Sequence, residues 1–402
     1  MIKLKDIQEA KTRLDGIIRT TPMAYAPILS KKFNSNIYLK KENLQLTGSF
    51  KLRGAFNKIA TLSQVERLKG VVAASAGNHA QGVAYSAKYF GCDATIIMPE
   101  ATPLLKVSGV KSYGAEVILH GANYDEAYKF ATAYANEHNK TFVHPFADDE
   151  VIAGQGTIAL EIFEELKDVD VIVVPIGGGG LISGVATAAK AINPHIKIIG
   201  VVASGARAMK ESFEAKKQID SSGVRTIADG IAVRDVTPKM LDYVLGLVDE
   251  IVEVEDNEIA SAILFLLEQH KLVVEGAGAV GTAAVMHNKL SNIESKTVVL
   301  PLSGGNIDVT MLAQIIEKGL VKSARKMNLV VTLIDKPGSL KMLTNIFEET
   351  NANIVQIDYD RNSISLDFGD ANVTIALETK GFEHQDNIRN ELKNAGYRFK
   401  EL

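Results

Sequence analysis

The sequence predicts an α/β protein with two lobes built on parallel sheets, followed by a small α+β module. The first observation is the length, because 402 residues exceed one ordinary domain. The second is a series of short apolar segments without polar alternation, which is typical of strands buried on both faces of a parallel sheet. These predicted strands cover residues 71–74, 94–98, 116–119, 171–175, 196–202 and 297–300. The third is a change of pattern after Arg325, where we expect a separate unit.

Helical segments lie between the predicted strands, as the connections of a parallel sheet require. The clearest of these predicted helices cover residues 81–90, 106–113, 124–137 and 182–192. We therefore predict that residues 1–322 form one α/β unit. Within it, a smaller lobe of about residues 50–145 is expected to be inserted in a larger lobe.

Residues 326–402 are predicted to form a module with the order βαββαβ. The predicted strands are 329–334, 353–358, 373–378 and 397–399, and the predicted helices are 340–349 and 384–394. The first strand is followed by Asp335-Lys336-Pro337-Gly338-Ser339, whose residue types favour a turn. Residues 318–326 are the predicted linker between the two parts.

Composition and charge exclude several classes of partner. A net charge of -4 gives no basic field for nucleic acid or anionic lipid. The most apolar stretch, residues 171–192, is interrupted by Pro175 and four glycines, so no 18-residue apolar run remains to cross a membrane. The single cysteine, Cys92, fits a reducing compartment, and the N-terminus lacks the apolar core of a signal peptide. We expect a cytoplasmic protein whose partner is a small molecule.

A glycine-rich loop is the first feature with a chemical meaning. Gly177-Gly178-Gly179-Gly180-Leu181 follows the predicted strand 171–175 and precedes a predicted helix. Backbone N–H groups at such a turn converge on an anion, and the helix N-terminus adds positive potential. A plain tight turn is the alternative, although four glycines lose considerable chain entropy for that purpose alone. Neither the dinucleotide pattern G-x-G-x-x-G nor the pattern G-x-x-x-x-G-K-[ST] is met, which leaves a short phosphate monoester.

Two further segments carry groups that can react with or bind a small molecule. Ser49-Phe50-Lys51-Leu52-Arg53-Gly54 offers an amine that can form an imine with an aldehyde, beside an aromatic ring that can stack on a flat ring. Most lysines are solvated surface charges, so this segment alone establishes nothing. Ser75-Ala76-Gly77-Asn78-His79-Ala80-Gln81-Gly82 opens a predicted helix and can bind a carboxylate. A capped helix start without a ligand explains it equally well.

Together these segments resemble fold-type II enzymes that depend on pyridoxal 5'-phosphate (PLP), and among them the threonine/serine dehydratases. The resemblance covers residues 7–321 and includes Ser303-Gly304-Gly305-Asn306 as a fourth motif in family order. It implies that Lys51 carries PLP as a Schiff base, that Phe50 packs on its ring and that Asn78 contacts its 3'-hydroxyl. The residues implied to hold the phosphate are Gly177, Gly178, Gly179, Gly180 and Leu181, and Ser303 is implied to face the ring nitrogen.

The same resemblance implies a reaction, namely the deamination of L-threonine to 2-oxobutyrate and ammonia by elimination of water. The freed amine of Lys51 would remove the α-proton. The residues implied to bind the substrate are Ser75, Ala76, Gly77, Asn78 and His79. The reaction would open isoleucine biosynthesis under allosteric control. The alternatives are a serine-preferring dehydratase, a racemase and an amino-acid sensor without catalysis.

Some positions depart from those of relatives. Serine racemases commonly carry a second serine where this chain has Ala76, so dehydration without racemisation is favoured. Relatives that bind a divalent cation use acids that residues 202–208 lack, and hard cations need oxygen ligands; we therefore expect no metal site. Asp229 and Glu275 match family loops near the cofactor, where either a direct role or a loop-structuring one is open.

The C-terminal module resembles an ACT regulatory domain. The turn that includes Pro337 and Gly338 corresponds to a segment that contributes to an amino-acid effector site at a subunit interface in such domains. The resemblance implies inhibition by isoleucine, or a response to valine, and a homo-oligomer, with a homotetramer expected. A ferredoxin-like unit that serves only assembly is the alternative.

Overall fold

A computed structural model describes residues 1–362, 364 and 366–402. The chain divides into two compact units, Met1–Asp308 and Val309–Leu402.

The first unit alternates strands and helices along most of its length. Its strands are β1 (Met23–Tyr25), β2 (Asn36–Lys40), β3 (Val71–Ala74), β4 (Ala94–Met98), β5 (Glu116–Leu119), β6 (Thr141–Phe142), β7 (Val171–Pro175), β8 (Lys197–Ala203), β9 (Glu250–Val254) and β10 (Thr297–Pro301). Its helices are α1 (Leu4–Leu14), α2 (Pro27–Phe33), α3 (Lys51–Thr61), α4 (Gln64–Lys69), α5 (Asn78–Tyr89), α6 (Leu104–Lys111), α7 (Tyr124–Glu137), α8 (Asp149–Glu165), α9 (Gly180–Ile192), α10 (Ala208–Ala215), α11 (Pro238–Leu247), α12 (Asp256–His270) and α13 (Gly276–Met286). Two short 3-10 turns are Glu42–Leu44 and Asp229–Ile231.

These strands form two sheets. The larger sheet has the order β1-β2-β10-β7-β8-β9, and all its neighbours pair in parallel except β1 with β2. The smaller sheet has the order β5-β4-β3-β6 and is parallel throughout. In the larger sheet, β2 from near the start of the chain pairs with β10 from near the end of the first unit. The four strands of the smaller sheet, β3 to β6, follow one another in the sequence between β2 and β7. The predicted α/β fold with parallel-sheet lobes is confirmed.

The residues of β3 show why the sequence lacks polar alternation. Val71 and Ala73 pack into one apolar cluster, with Ile96 and Met98 of β4. Val72 and Ala74 pack into a second cluster on the opposite face, against α7. Because both faces of the sheet are covered, each residue of this strand must be apolar.

Local side-chain caps fix the starts of some helices. Asn123 accepts hydrogen bonds from the first N–H groups of α7, and Asp148 does so for α8. Helices α5 and α9 lack such a side-chain cap, so the N–H groups of their first turns remain open to a ligand.

Helices α5 and α9 both begin earlier than predicted, at Asn78 and Gly180 instead of at residues 81 and 182. The predicted α6 is shifted by two residues, and the N-terminal strands β1 and β2 were not predicted.

The second unit contains α14 (Val309–Lys322), β11 (Lys326–Ile334), α15 (Ser339–Glu349), β12 (Asn353–Asp360), β13 (Asp370–Glu378), α16 (Phe382–Asn394) and β14 (Arg398–Glu401). From β11 onward the order is βαββαβ, in an antiparallel sheet of order β12-β13-β11-β14. Alternate residues of β11 are buried because the helices cover one face. The predicted linker, residues 318–326, is helical as far as Lys322, and Lys326 already belongs to β11. Among the described residues, no helix is long and apolar enough to cross a membrane.

Candidate active site

A cavity of about 810 Å³ lies in the first unit at the carboxyl ends of β3 and β7. Every residue that the sequence predicted for catalysis, cofactor binding or substrate binding lines it. These residues are Phe50, Lys51, Ser75, Ala76, Gly77, Asn78, His79, Gly177, Gly178, Gly179, Gly180, Leu181 and Ser303. Segments far apart in sequence therefore meet at one place.

Backbone hydrogen bonds bring the lysine segment to the Ser303 segment. The N–H of Phe50 donates to the carbonyl of Ser303 at 3.0 Å, and Ser49 forms an isolated β-bridge with Gly304. Ser303 is buried. Lys51 is the first residue of α3, and it therefore lies where the chain leaves this bridge and enters the helix.

The amine of Lys51 lies in a partly enclosed position. Its Nζ donates to the carbonyl of Pro145 at 2.9 Å and lies 5.4 Å from the centroid of the Phe50 ring. Burial lowers the pKa of Lys51 to about 8, although the charge of Glu275 opposes this shift. A neutral, nucleophilic amine is therefore accessible near neutral pH.

The glycine loop is packed so closely that side chains cannot be accommodated. A Cβ on Gly178 would lie 2.4 Å from Cδ1 of Phe146, and one on Gly177 would lie 2.9 Å from Cα of Ile231. Gly179 has φ +92°, which disfavours residues with a side chain. Its neighbour Gly180 opens α9, whose first N–H groups have no partner within the helix. This loop can bind a phosphate by backbone N–H groups and helix dipole.

The second helix start in the cavity belongs to α5. Asn78 is its first residue, and its side chain donates from Nδ2 to Oε1 of Glu275 at 2.7 Å. The Nε2 of His79 lies 2.8 Å from the carbonyl of Val143, to which it donates. Burial and the charge of Lys51 lower the pKa of His79 to about 3. His79 is therefore neutral and fixes the start of α5.

Two ion pairs at the cavity were not predicted from the sequence, although Asp229 was expected near the cofactor. Lys106 and Asp229 form an ion pair of 3.0 Å, and Arg234 and Asp125 form another of 2.7 Å. All four line the cavity, and each pair joins the smaller lobe to the larger one. Their positions depend on contacts between distant segments, for which the local sequence has no signal.

The segment after β6 was also missed. The Nδ1 of His144 accepts hydrogen bonds from the N–H groups of Phe146 and Ala147, at 3.2 and 2.9 Å. Burial and the charge of Lys51 lower the pKa of His144 to about 4. This neutral ring shapes the turn that places Phe146 against the glycine loop. Because β6 has only two residues, its sequence pattern is too short to predict.

The cavity fits PLP in three respects. It offers an accessible amine for an aldehyde, a glycine loop at the start of α9 whose N–H groups can bind a phosphate, and Phe50 beside the amine. It exceeds 300 Å³, the lower range of small-molecule sites. Within the described part of the chain, no group of three or more His, Cys, Asp or Glu side chains is placed to hold a metal ion.

Pro337 and Gly338 lie in the second unit, between β11 and α15. Gly338 has φ +90° and immediately precedes α15. A Cβ at this position would meet no atom within 4 Å, so the backbone conformation, and not crowding, favours glycine here.

Comparisons with known proteins agree with this geometry. Residues 14–304 match the family model described as "Pyridoxal-phosphate dependent enzyme". The L-threonine ammonia-lyase of Thermotoga maritima is 50% identical over 397 residues, which cover 99% of this chain and 98% of that protein. The processed form of threonine deaminase isoform 2 from Solanum lycopersicum has a TM-score of 0.74 and 38% identity, covering 78% of this chain and 86% of that one. Maize serine racemase has a TM-score of 0.75 and 36% identity, and the match covers 80% of this chain and 98% of that one. The chain belongs to the family of pyridoxal-phosphate dependent enzymes.

Proposed function

We propose that this chain is a threonine ammonia-lyase that converts L-threonine to 2-oxobutyrate and ammonia. The observation that carries the proposal is that Lys51 and the N-termini of two helices, α5 and α9, line one cavity. One N-terminus can bind a phosphate and the other a carboxylate, which are the anionic groups of PLP and of an amino acid. The similarity to the Thermotoga maritima L-threonine ammonia-lyase over nearly the whole chain supports threonine as the substrate.

The cofactor and the chain contribute different parts of the chemistry. Bound PLP supplies an aldehyde that forms imines with amines, and a ring that withdraws electrons from the α-carbon. The backbone N–H groups of Gly177–Leu181 would hold the phosphate, and Phe50 would pack beside the ring. Ser303 lines the same cavity and would face the ring nitrogen, where a hydroxyl would not keep that nitrogen protonated as a carboxylate does.

Lys51 is the base in this proposal. Its amine lies within the cavity, and its lowered pKa leaves part of it neutral near pH 7, so it can take the α-proton of the substrate. The N–H groups of residues 75–78 orient the substrate carboxylate. The β-hydroxyl would leave as water, gaining one proton for the one that Lys51 removes from the α-carbon. The released aminocrotonate would then take up water to give 2-oxobutyrate and ammonia.

A comparison of substrates tests the proposal. We expect a higher kcat/KM for L-threonine than for L-serine, by a factor of about 10 to 200, because one methyl group is worth about 1–3 kcal/mol in an apolar pocket. Chiral analysis of unreacted L-serine should show no D-serine, since Ala76 offers no proton donor. A preference for serine would establish a serine dehydratase, D-serine a racemase, and binding without turnover a sensor.

We further propose that the second unit is an ACT regulatory domain that binds isoleucine or valine. Its βαββαβ order and antiparallel sheet support this proposal, as does the turn at Pro337 and Gly338. An effector must bind two states of the enzyme differently to change its rate. Isoleucine inhibition suits an enzyme whose product feeds isoleucine synthesis in the cytoplasm, and a homotetramer is the assembly we expect.

Titration calorimetry and activity curves on the full chain test this regulation. We expect isoleucine to bind and to lower the rate, and Gly338→Ala to weaken binding without changing the basal rate. Absence of both binding and inhibition by isoleucine and valine would leave a role in assembly alone. Light scattering on the same sample measures the oligomeric state.

A further inference from the structure

Glu275 is a buried carboxyl group in the cavity wall that the proposed chemistry does not use. Only 4% of the residue is exposed. It immediately precedes α13, yet its side chain does not cap that helix. Its Oε1 accepts instead the hydrogen bond from Nδ2 of Asn78. A buried carboxyl group is unfavourable unless it is paired, so this pairing needs an explanation.

The amide of Asn78 is fixed from both sides. Its Oδ1 accepts a hydrogen bond from Nδ2 of Asn306 at 2.7 Å. The same Asn306 nitrogen donates to the carbonyl of Thr47 at 2.8 Å. Glu275 takes one hydrogen of the Asn78 Nδ2 group, which has two. The amide can therefore offer the cavity a donor, while its acceptor is already engaged.

We propose that Glu275 is a positioning residue that acts through Asn78, so that Asn78 presents an N–H donor to the ring oxygen of the cofactor. This inference rests on the proposed contact between Asn78 and the 3'-hydroxyl. A hydrogen-bond donor favours the ionised form of an oxygen acid. Glu275 thus influences the ionisation of the 3'-hydroxyl of the cofactor without contacting it.

The charge of Glu275 makes this effect depend on pH. Burial, and after it the charge of Asp229, raise the pKa of Glu275 to about 7. The Asn78 hydrogen bond and the charges of Lys106 and Lys51 oppose this shift. Near neutral pH the group gains or loses its charge, and an ionised carboxylate accepts a stronger hydrogen bond than a neutral one.

Absorbance spectra of the cofactor-loaded, substrate-free enzyme provide the first test. We expect the visible band of the cofactor to change with a midpoint near pH 7 in the wild type. Glu275→Gln, which removes the charge and keeps the size, should abolish this transition. Asp229→Asn is the matched control, because it removes a neighbouring carboxylate without touching Asn78; it should shift the midpoint to lower pH. An unchanged transition in Glu275→Gln would overturn the proposal.

A double-mutant cycle on the dissociation constant of the cofactor is the second test. Glu275→Ala should weaken binding about tenfold, as loss of a hydrogen bond to a charged group does. If Glu275 acts through Asn78, adding Glu275→Ala to Asn78→Ala should cause no further loss. Additive losses in the double variant would contradict the proposal. Glu275→Met, which keeps the size and lacks an oxygen acceptor for Asn78, replaces Glu275→Ala in the cycle if the alanine variant does not fold.

The proposed function and this inference fail in different ways. A wild-type chain that binds PLP but does not turn over threonine contradicts the proposed activity, and both tests still decide the role of Glu275. Normal turnover with an additive cycle contradicts the inference alone.

Discussion

Lys51 and Arg53 are two cations on the same helix, α3, and their surroundings are opposite. Arg53 is fully buried, and its five N–H donors all have partners. Nε and Nη2 each donate to Glu42 at 2.8 Å, Nη1 and Nη2 donate to Glu161 at 2.6 and 2.9 Å, and Nη1 also donates to Thr157 at 3.1 Å. Lys51 faces the carbonyl of Pro145, which carries no full charge.

The network around Arg53 balances its charges. Lys40, also fully buried, donates to Glu161 at 2.6 Å and to the carbonyl of Thr21 at 2.6 Å. Two cations thus face the two carboxylates Glu42 and Glu161. Burial alone would raise the pKa of Glu161, but the charges and hydrogen bonds of Arg53 and Lys40 hold it below its ordinary value.

The difference in partners gives Arg53 a structural role and leaves Lys51 available for chemistry. A cation whose donors are all paired with carboxylates keeps its proton and fixes the segments around it. A cation buried without such a partner shifts towards its neutral form and becomes reactive. The start of α3 uses both: the Arg53 network anchors the helix, and Lys51 reaches the cavity.

Replacement of Lys51 by alanine should have the largest effect on turnover. We expect Lys51→Ala to lower kcat at least about 10³-fold, because it removes both the amine that binds the cofactor and the base. The melting temperature of the cofactor-free enzyme should stay the same or rise, since the amine is held without a carboxylate partner. Steady-state kinetics and calorimetry measure the two effects. Retained turnover would contradict the assignment.

Replacement of Arg53 by methionine should affect stability instead. Arg53→Met leaves Glu42 and Glu161 buried without their main partner, which costs about 3–5 kcal/mol. Arg53→Lys should recover only part of this loss, because three donors on one atom cannot reach both carboxylates as the guanidinium does. Urea unfolding measures the changes.

Arg207→Met is the matched control for Arg53→Met. Arg207 is largely exposed and pairs with Glu211 one helical turn away, so its replacement should change stability by less than about 1 kcal/mol. Equal losses in the two variants would remove the distinction between buried and exposed pairs.

The contrast also shows what the sequence could predict. Strands β3, β4 and β5 were predicted with their observed bounds because each is a short, mainly apolar segment between helical segments or turns. The cavity residues were predicted because four motifs in order resemble those of fold-type II PLP enzymes, and parallel strands and helix N-termini bring these motifs to one edge. The role of Arg53 was not predicted, although Arg53 lies within the motif of Lys51. Its partner Glu161 lies 108 positions away in the chain, and neither residue has a local pattern that indicates pairing.

The glycine loop was predicted from its N–H groups alone, whereas in the structure its packing against Phe146 also requires glycine. Its sequence indicated open N–H groups for a phosphate. The structure adds the contact with Phe146, which no local pattern reveals, because it depends on the turn after β6. Sequence periodicity thus predicts elements and their ends, whereas contacts between distant turns require the folded chain.

Addition of one methyl group to the loop should have an intermediate effect. In Gly178→Ala the new Cβ would lie 2.4 Å from Cδ1 and 2.5 Å from Cε1 of Phe146, and overpacking of this kind costs about 1–3 kcal/mol. We expect a lower melting temperature and weaker PLP binding. Gly109→Ala is the control, since a Cβ there meets no atom within 4 Å and should be neutral or slightly stabilising. Normal PLP affinity in Gly178→Ala would argue against a phosphate at this loop.

The smallest effect concerns the pH at which Lys51 reacts. With a pKa of about 8, about one tenth of the amine is neutral at pH 7, so acylation of the cofactor-free enzyme should reach half its maximal rate near pH 8. Mass spectrometry can follow Lys51 beside the exposed Lys5 in the same sample. Glu275→Gln removes a charge that raises the pKa of Lys51, so it should move the midpoint to lower pH. A midpoint near 10.5, the ordinary pKa of a lysine, would mean that Lys51 is as well solvated in the cavity as a surface lysine. Lys51 and Arg53 would then differ in their hydrogen-bond partners but not in how burial affects their charge.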